Sequence, residues 1–199
     1  MNAVAAFITD FGDLAVTVPL AVVTAVALGV LRLPRLALAW AASIAGCAGV
    51  VGGLKLVLDV CHHRFSIPDI ISPSGHAAMS VAVYGGLALL IGSGRPSLWR
   101  CAIRGGAAVL MVAIAVTRVI LHKHTAAEAA VGFAIGLVAV ASFGVALAAH
   151  RAVVVPVRWL AAALLLLAVA VHGARWPGEL AIHEMAGSPL VRFFISGCR

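Results

Sequence analysis

Apolar runs as long as a bilayer is thick set the first limit on this chain. A helix needs about 20 consecutive, mostly apolar residues to cross the hydrocarbon core. Such runs stand at 13–31, 36–58, 77–93, 101–121, 129–149 and 152–172. In lipid every backbone N–H and C=O has to find a partner within the protein, which leaves helices for runs of this length. The expected fold is therefore all-α, a polytopic membrane protein built as a six-transmembrane-helix bundle. Of 199 residues, 63% are hydrophobic and 11% charged, against about half and about a quarter in soluble domains. Short connections make successive helices antiparallel; only the loop between the second and third runs is long and polar. Residues 1–199 read as one integral membrane domain, with 173–199 as an interfacial tail that mixes Trp176, Phe193 and Phe194 with Arg175, Arg192 and Arg199.

The leading residues hold Asp10 but no Lys or Arg before the first run, so no cleavable signal is expected. Gly132 and Gly136 form a small-xxx-small pair, read as packing within the bundle rather than as a dimer seam. The four cysteines, Cys47, Cys61, Cys101 and Cys198, show no CxxC or Cys/His ligand spacing, so neither a metal nor redox chemistry is suggested. Whether Cys61 and Cys198 pair stays open.

Charge tells the two faces apart. The odd-numbered loops carry Arg32, Arg35, Arg95, Arg100, Arg104, Arg151 and Arg158 and no acid. Without the tail, the other face has four basic residues, Lys55, Arg64, Arg118 and Lys123. Lys and Arg mark cytoplasmic loops, so the odd loops are expected inside and both termini outside. The net charge of +7 is explained by topology, and no nucleic-acid partner is expected.

On the outer face three stretches collect the polar chemistry: KLVLDVCHHRF (55–65), PSGH (73–76) and TRVILHKHTAAE (117–128). They bring Lys55, His62, His63, Arg64, His76, Arg118, His122, Lys123 and His124 together with the acid Glu128. Ionisable groups beside spans are expensive and mark functional sites. So many cations and donors suit a phosphate. Gly75 allows close backbone approach, and the start of the third span offers free N–H groups to an anion. His124 and Glu128 stand one helical turn apart, so the carboxylate can orient one imidazole nitrogen and leave the other as a nucleophile. His76 can donate a proton to a leaving oxygen. Plainer readings exist for each: Lys55 snorkelling to water, Arg118 and Lys123 as interfacial anchors, Ser74 as an N-cap, Thr125 and Glu128 as a capping box. None of them accounts for three separate segments converging on one leaflet.

These motifs resemble the type 2 phosphatidic acid phosphatase family, the membrane branch of a fold shared with vanadium haloperoxidases. Its pattern runs Lys-x6-Arg-Pro, Pro-Ser-Gly-His, and Ser-Arg-x5-His-x3-Asp. Pro73-Ser74-Gly75-His76 matches the second element, and Thr117-Arg118-x5-His124-x3-Glu128 matches the third with Thr for Ser and Glu for Asp. Lys55 fits the first, but His62-His63 stand at the Arg-Pro positions and Arg64 lies two residues late. The likeness covers about residues 50–150. It implies metal-independent, cofactor-free hydrolysis of a lipid phosphate or lipid pyrophosphate. His124 would be the nucleophile that becomes a phosphohistidine, Glu128 its orienting acid and His76 the general acid. Lys55, Arg118, Ser74 and Gly75 would hold the phosphate, joined by either Arg64 or His62.

The rival class is a non-catalytic anion or lipid-phosphate binder or transporter with a degenerate site. Transport would want charge along the mid-membrane, and the span centres are almost free of it. Partners are thus the lipid phosphate substrate and membrane lipids. The expected setting is a bacterial inner or plasma membrane, with the site facing the periplasm or exterior. Phosphatidate, phosphatidylglycerophosphate, a polyprenyl pyrophosphate such as undecaprenyl pyrophosphate, and a lipid A phosphate are all compatible, and the extracytoplasmic site tilts the reading towards a polyprenyl or glycerolipid phosphate. The oligomeric state stays open.

Overall fold

The computed structural model describes residues 2–60, 72–150, 157–176 and 184. Every regular element among them is helical. The chain opens with α1 (Asn2–Asp10), turns at residues 11–13 and continues as α2 (Leu14–Val30). Next come α3 (Pro34–Val60) and a rod composed of α4 (Gly75–Ser80), a π-helical turn (Val81–Gly85) and α5 (Gly86–Gly92). The long helices α6 (Ser97–Ile120) and α7 (Ala126–Ala148) follow, then α8 (Val157–Ala170). The rod is the axis of the bundle, since 72% of Gly75–Gly92 is buried against 22–39% of the other long apolar stretches. Exposed Val109, Val138, Val145, Leu165 and Leu166 give the outer helices the apolar skin that lipid requires.

Among the described residues, five stretches are long and apolar enough to cross a membrane: Ala3–Val30, Pro34–Asp59, Gly75–Gly92, Ser97–Ile120 and Ala126–Ala148. The first differs from expectation. The run ahead of Asp13 is helical too, and as α1 it packs on α6. The sixth expected run, 152–172, appears as α8 with 14 residues, about 21 Å at 1.5 Å per residue and short of a full span; residues 151–156 lie outside the described set. α8 packs on α2.

One indole pins four helices. Trp40 of α3 is fully buried, and its Nε1–H donates to the Ala21 carbonyl of α2 at 2.8 Å. Its ring stands edge-on to Phe143 of α7 with centroids 5.1 Å apart. A Cβ on Gly86 would come within 2.5 Å of that ring, so α5 can pass beneath it only as glycine. A buried Trp N–H without an acceptor is costly, most of all in lipid. Here it is satisfied.

Gly132 and Gly136 serve the interior, as their spacing suggested. A Cβ on Gly136 would lie 2.6 Å from the Ala78 carbonyl oxygen, and one on Gly132 would collide with the Ser74 carbonyl. α7 therefore lies directly against the backbone of α4. Gly132→Ala should cost about 1–3 kcal/mol through overpacking, read as a lower thermal midpoint in detergent. Gly105→Ala, at a position where a Cβ meets nothing within 4 Å, should leave the midpoint unchanged or slightly higher.

Candidate active site

The site residues sit at one end of the bundle, where α3 and α6 finish and α4 and α7 begin. Two residues past the end of α6, His122 takes left-handed backbone at φ 52°. The Arg118 carbonyl then accepts from the Lys123 and His124 amides at 3.0 and 3.3 Å. This tight reversal points His122 and Lys123 to solvent and turns His124 inward. Thr125 caps α7: its hydroxyl accepts from the Glu128 amide at 3.1 Å, and the Glu128 carboxylate accepts from the Thr125 amide at 3.1 Å. The capping box is real. It does not exhaust Glu128.

The oxygen that takes the Thr125 amide, Oε2, also lies 3.0 Å from His124 Nδ1. Oε1 accepts from the Ser72 amide at 2.6 Å, and the Glu128 carbonyl accepts from the Ser74 amide at 3.1 Å. Glu128 thus ties the third motif to the second. A carboxylate only accepts, so Nδ1 of His124 carries a proton, and in the neutral imidazole the lone pair is on Nε2. Both side chains are nearly sealed from solvent, at 5% and 6% exposure.

Ser74 is the N-cap of α4, its hydroxyl accepting from the Ala77 amide at 3.4 Å, and Gly75 and His76 form the first turn. Lys55 reaches the same place from α3. It is 7% exposed, so it does not snorkel to water. Lys55, Gly75 and His76 line a cavity of about 110 Å³ together with Asp13, Gly52 and Trp176. Arg118, also 7% exposed, sits in the last turn of α6, while Lys123 is exposed; of the two expected anchors only Lys123 faces water. His124, Glu128 and Arg118 are not among the described lining residues of this cavity. Glu128, which holds His124, binds the Ser72 and Ser74 amides just ahead of Gly75. Arg64, His62 and Cys61 lie outside the described residues.

A family model described as the PAP2 superfamily matches residues 37–149. The chain belongs to that superfamily. Membership makes it a phosphatase-type enzyme, and the five long apolar stretches make it an integral membrane protein. Comparisons with curated proteins and with solved structures return no match. The matched residues run from α3 to the end of α7, so α1, α2 and α8 lie outside the PAP2 match.

One acid was missed. The sequence reading gave a role to Glu128 alone among the acids, yet Asp13 stands 3.4 Å from His76, Oδ2 to Nε2. Asp13 opens a span on the same face, and an ionisable group in that position is itself a functional signal. It was hidden by its distance along the chain from any motif.

The two Glu128 oxygens each face a donor, so an amide there must turn its NH2 towards one of them. Glu128→Gln should lower stability by about 1–3 kcal/mol for an unsatisfied buried group and cut phosphate release by about a hundredfold or more. Thr125→Ala removes the cap alone, costs about 1 kcal/mol, and should leave turnover within a few-fold. Thermal midpoints and turnover of both variants check this.

Proposed function

We propose that the protein hydrolyses the phosphate or pyrophosphate ester of a membrane lipid, without a metal, at the extracytoplasmic face. The observation that carries the reading is the His124–Glu128 pair, bonded through Glu128 to the amides of Ser72 and Ser74. A nucleophile and a phosphate-binding helix start are thereby held in one frame. Phosphoryl transfer asks a protein chiefly for positioning and charge stabilisation, and the buried Lys55 and Arg118 are the cations for that.

In the first step the Nε2 lone pair of His124 forms a bond to phosphorus while the bond to the leaving oxygen breaks. That oxygen takes the proton of His76. Lys55, Arg118, the Ser74 hydroxyl and the Gly75 amide hold the non-bridging oxygens as their charge rises. Arg64 or His62 supplies the remaining contact. In the second step water attacks phosphorus, the P–N bond breaks, and His76 accepts the proton of the water. Glu128 keeps His124 in one tautomer throughout. The excess of basic residues in the odd-numbered loops supports an outward-facing site.

Purified protein in EDTA should release phosphate from at least one of phosphatidate, phosphatidylglycerophosphate, a polyprenyl pyrophosphate or a lipid A phosphate. His124→Ala should abolish release. His122→Asn, which suits the left-handed backbone, should stay within about tenfold, or 1.4 kcal/mol of barrier. Loss in EDTA with recovery on added magnesium would defeat the metal-free reading. Full activity in His124→Ala would favour a cluster that binds phosphate without His124 chemistry.

Sidedness has its own check. In a cysteine-free background, Lys123→Cys should react with an impermeant maleimide in intact cells and Ser97→Cys should not. Reversed labelling would put the site inside.

A further inference from the structure

His76 has a carboxylate of its own, and it comes from a part of the chain outside the PAP2 match. Asp13 lies in the turn between α1 and α2. Its side chain is 7% exposed, and its two oxygens divide their work. Oδ1 accepts from the Ala15 amide at 2.8 Å, which caps α2, and from the Trp176 amide at 3.0 Å. Oδ2 points at His76 Nε2, 3.4 Å away. The cap accounts for Oδ1 only.

The approach is built in. A Cβ on Gly12 would come within 2.7 Å of Ile114 Cγ2 and 3.3 Å of the His76 carbonyl, so the turn lies against α4 because residue 12 is glycine. The nearby Asp10 is engaged elsewhere, 3.3 Å from the exposed Arg175. Two backbone donors fix the Asp13 carboxylate, and α4 fixes the histidine that it faces.

We propose that Asp13 is the positioning residue for His76. It fixes the imidazole with Nε2 towards itself and Nδ1 towards the leaving oxygen, and it balances the positive charge that His76 carries before giving up its proton. The proposal rests on the reading of His76 as the general acid. Each histidine would then be set by a carboxylate, Glu128 for the nucleophile and Asp13 for the acid.

Asp13→Asn tests this in the full chain, because Asn is as good an N-cap as Asp and keeps its shape. Turnover is compared on a lipid phosphomonoester, whose alkoxide needs a proton, and on p-nitrophenyl phosphate, whose leaving group does not. The expected result is a loss of about a hundredfold on the lipid ester and less than about fivefold on the aryl ester, the range general acid catalysis covers. Asp13→Ser, which also keeps the cap, should show the same split. Asp10→Asn should alter neither substrate, since its partner Arg175 is exposed to water and Asp10 makes no contact with His76 among those described. In a His76→Ala background, Asp13→Asn should add less than about twofold, as expected of groups acting as a unit. Equal losses on both substrates, no loss on either, or a full additional loss beside His76→Ala would each overturn the proposal. Unimpaired hydrolysis by His124→Ala would instead sink the underlying mechanism.

Discussion

Glu128 is where the bundle and the site are the same object. A buried carboxylate is tolerable only with donors on its lone pairs, and the chain supplies them from two elements. The Thr125 amide and His124 come from the start of its own helix, and the Ser72 amide comes from the approach to α4. Its carbonyl takes the Ser74 amide, and one turn on, Gly132 lets the Ser74 carbonyl sit against α7. The contacts that orient the histidine also seat the central rod. Chemistry and packing here share atoms.

The rest of the molecule shows how a lipid-facing protein confines polarity. Along the spans polar side chains bond within the helices, as Thr17 to the Asp13 carbonyl, Thr24 to the Leu20 carbonyl and Thr117 to the Ile114 carbonyl. Trp40 spends its one donor on a neighbouring backbone. Groups that cannot be quieted locally, the buried Lys55, Arg118 and Glu128, collect at one end. There the helix starts of α4 and α7 provide amides that have no partner within their own helices.

Much of this was legible in the residues. Five spans followed from the rule of about 20 apolar residues, the His124–Glu128 bond from a spacing of four residues, and the internal role of Gly132 and Gly136 from their interval. The capping box and a bond to His124 looked like rival uses of Glu128, and both contacts are present, because a carboxylate has two oxygens and four lone pairs. What sequence did not disclose is tertiary. α1 was passed over because a short apolar run ahead of a charged turn resembles a flank rather than a packed helix. Asp13 meets His76 only because α2 and α4 come together, and no spacing rule encodes that. Snorkelling seemed apt for Lys55 until the walls of the cavity enclosed it.

The π-helical turn at Val81–Gly85 gives the most buried rod an unusual tolerance. A π turn contains one residue more than an α-helix needs over the same rise. Its two flanks nevertheless keep the facing that regular helix would give them. Removing one residue from this stretch would let it relax to plain α-helix, with α4 still presented to the site and Gly86 still beneath Trp40. Elsewhere in the rod a one-residue deletion would swing every following side chain by about 100°. The centre of the molecule, ordinarily the last place to forgive a change in length, is where this chain carries a spare residue.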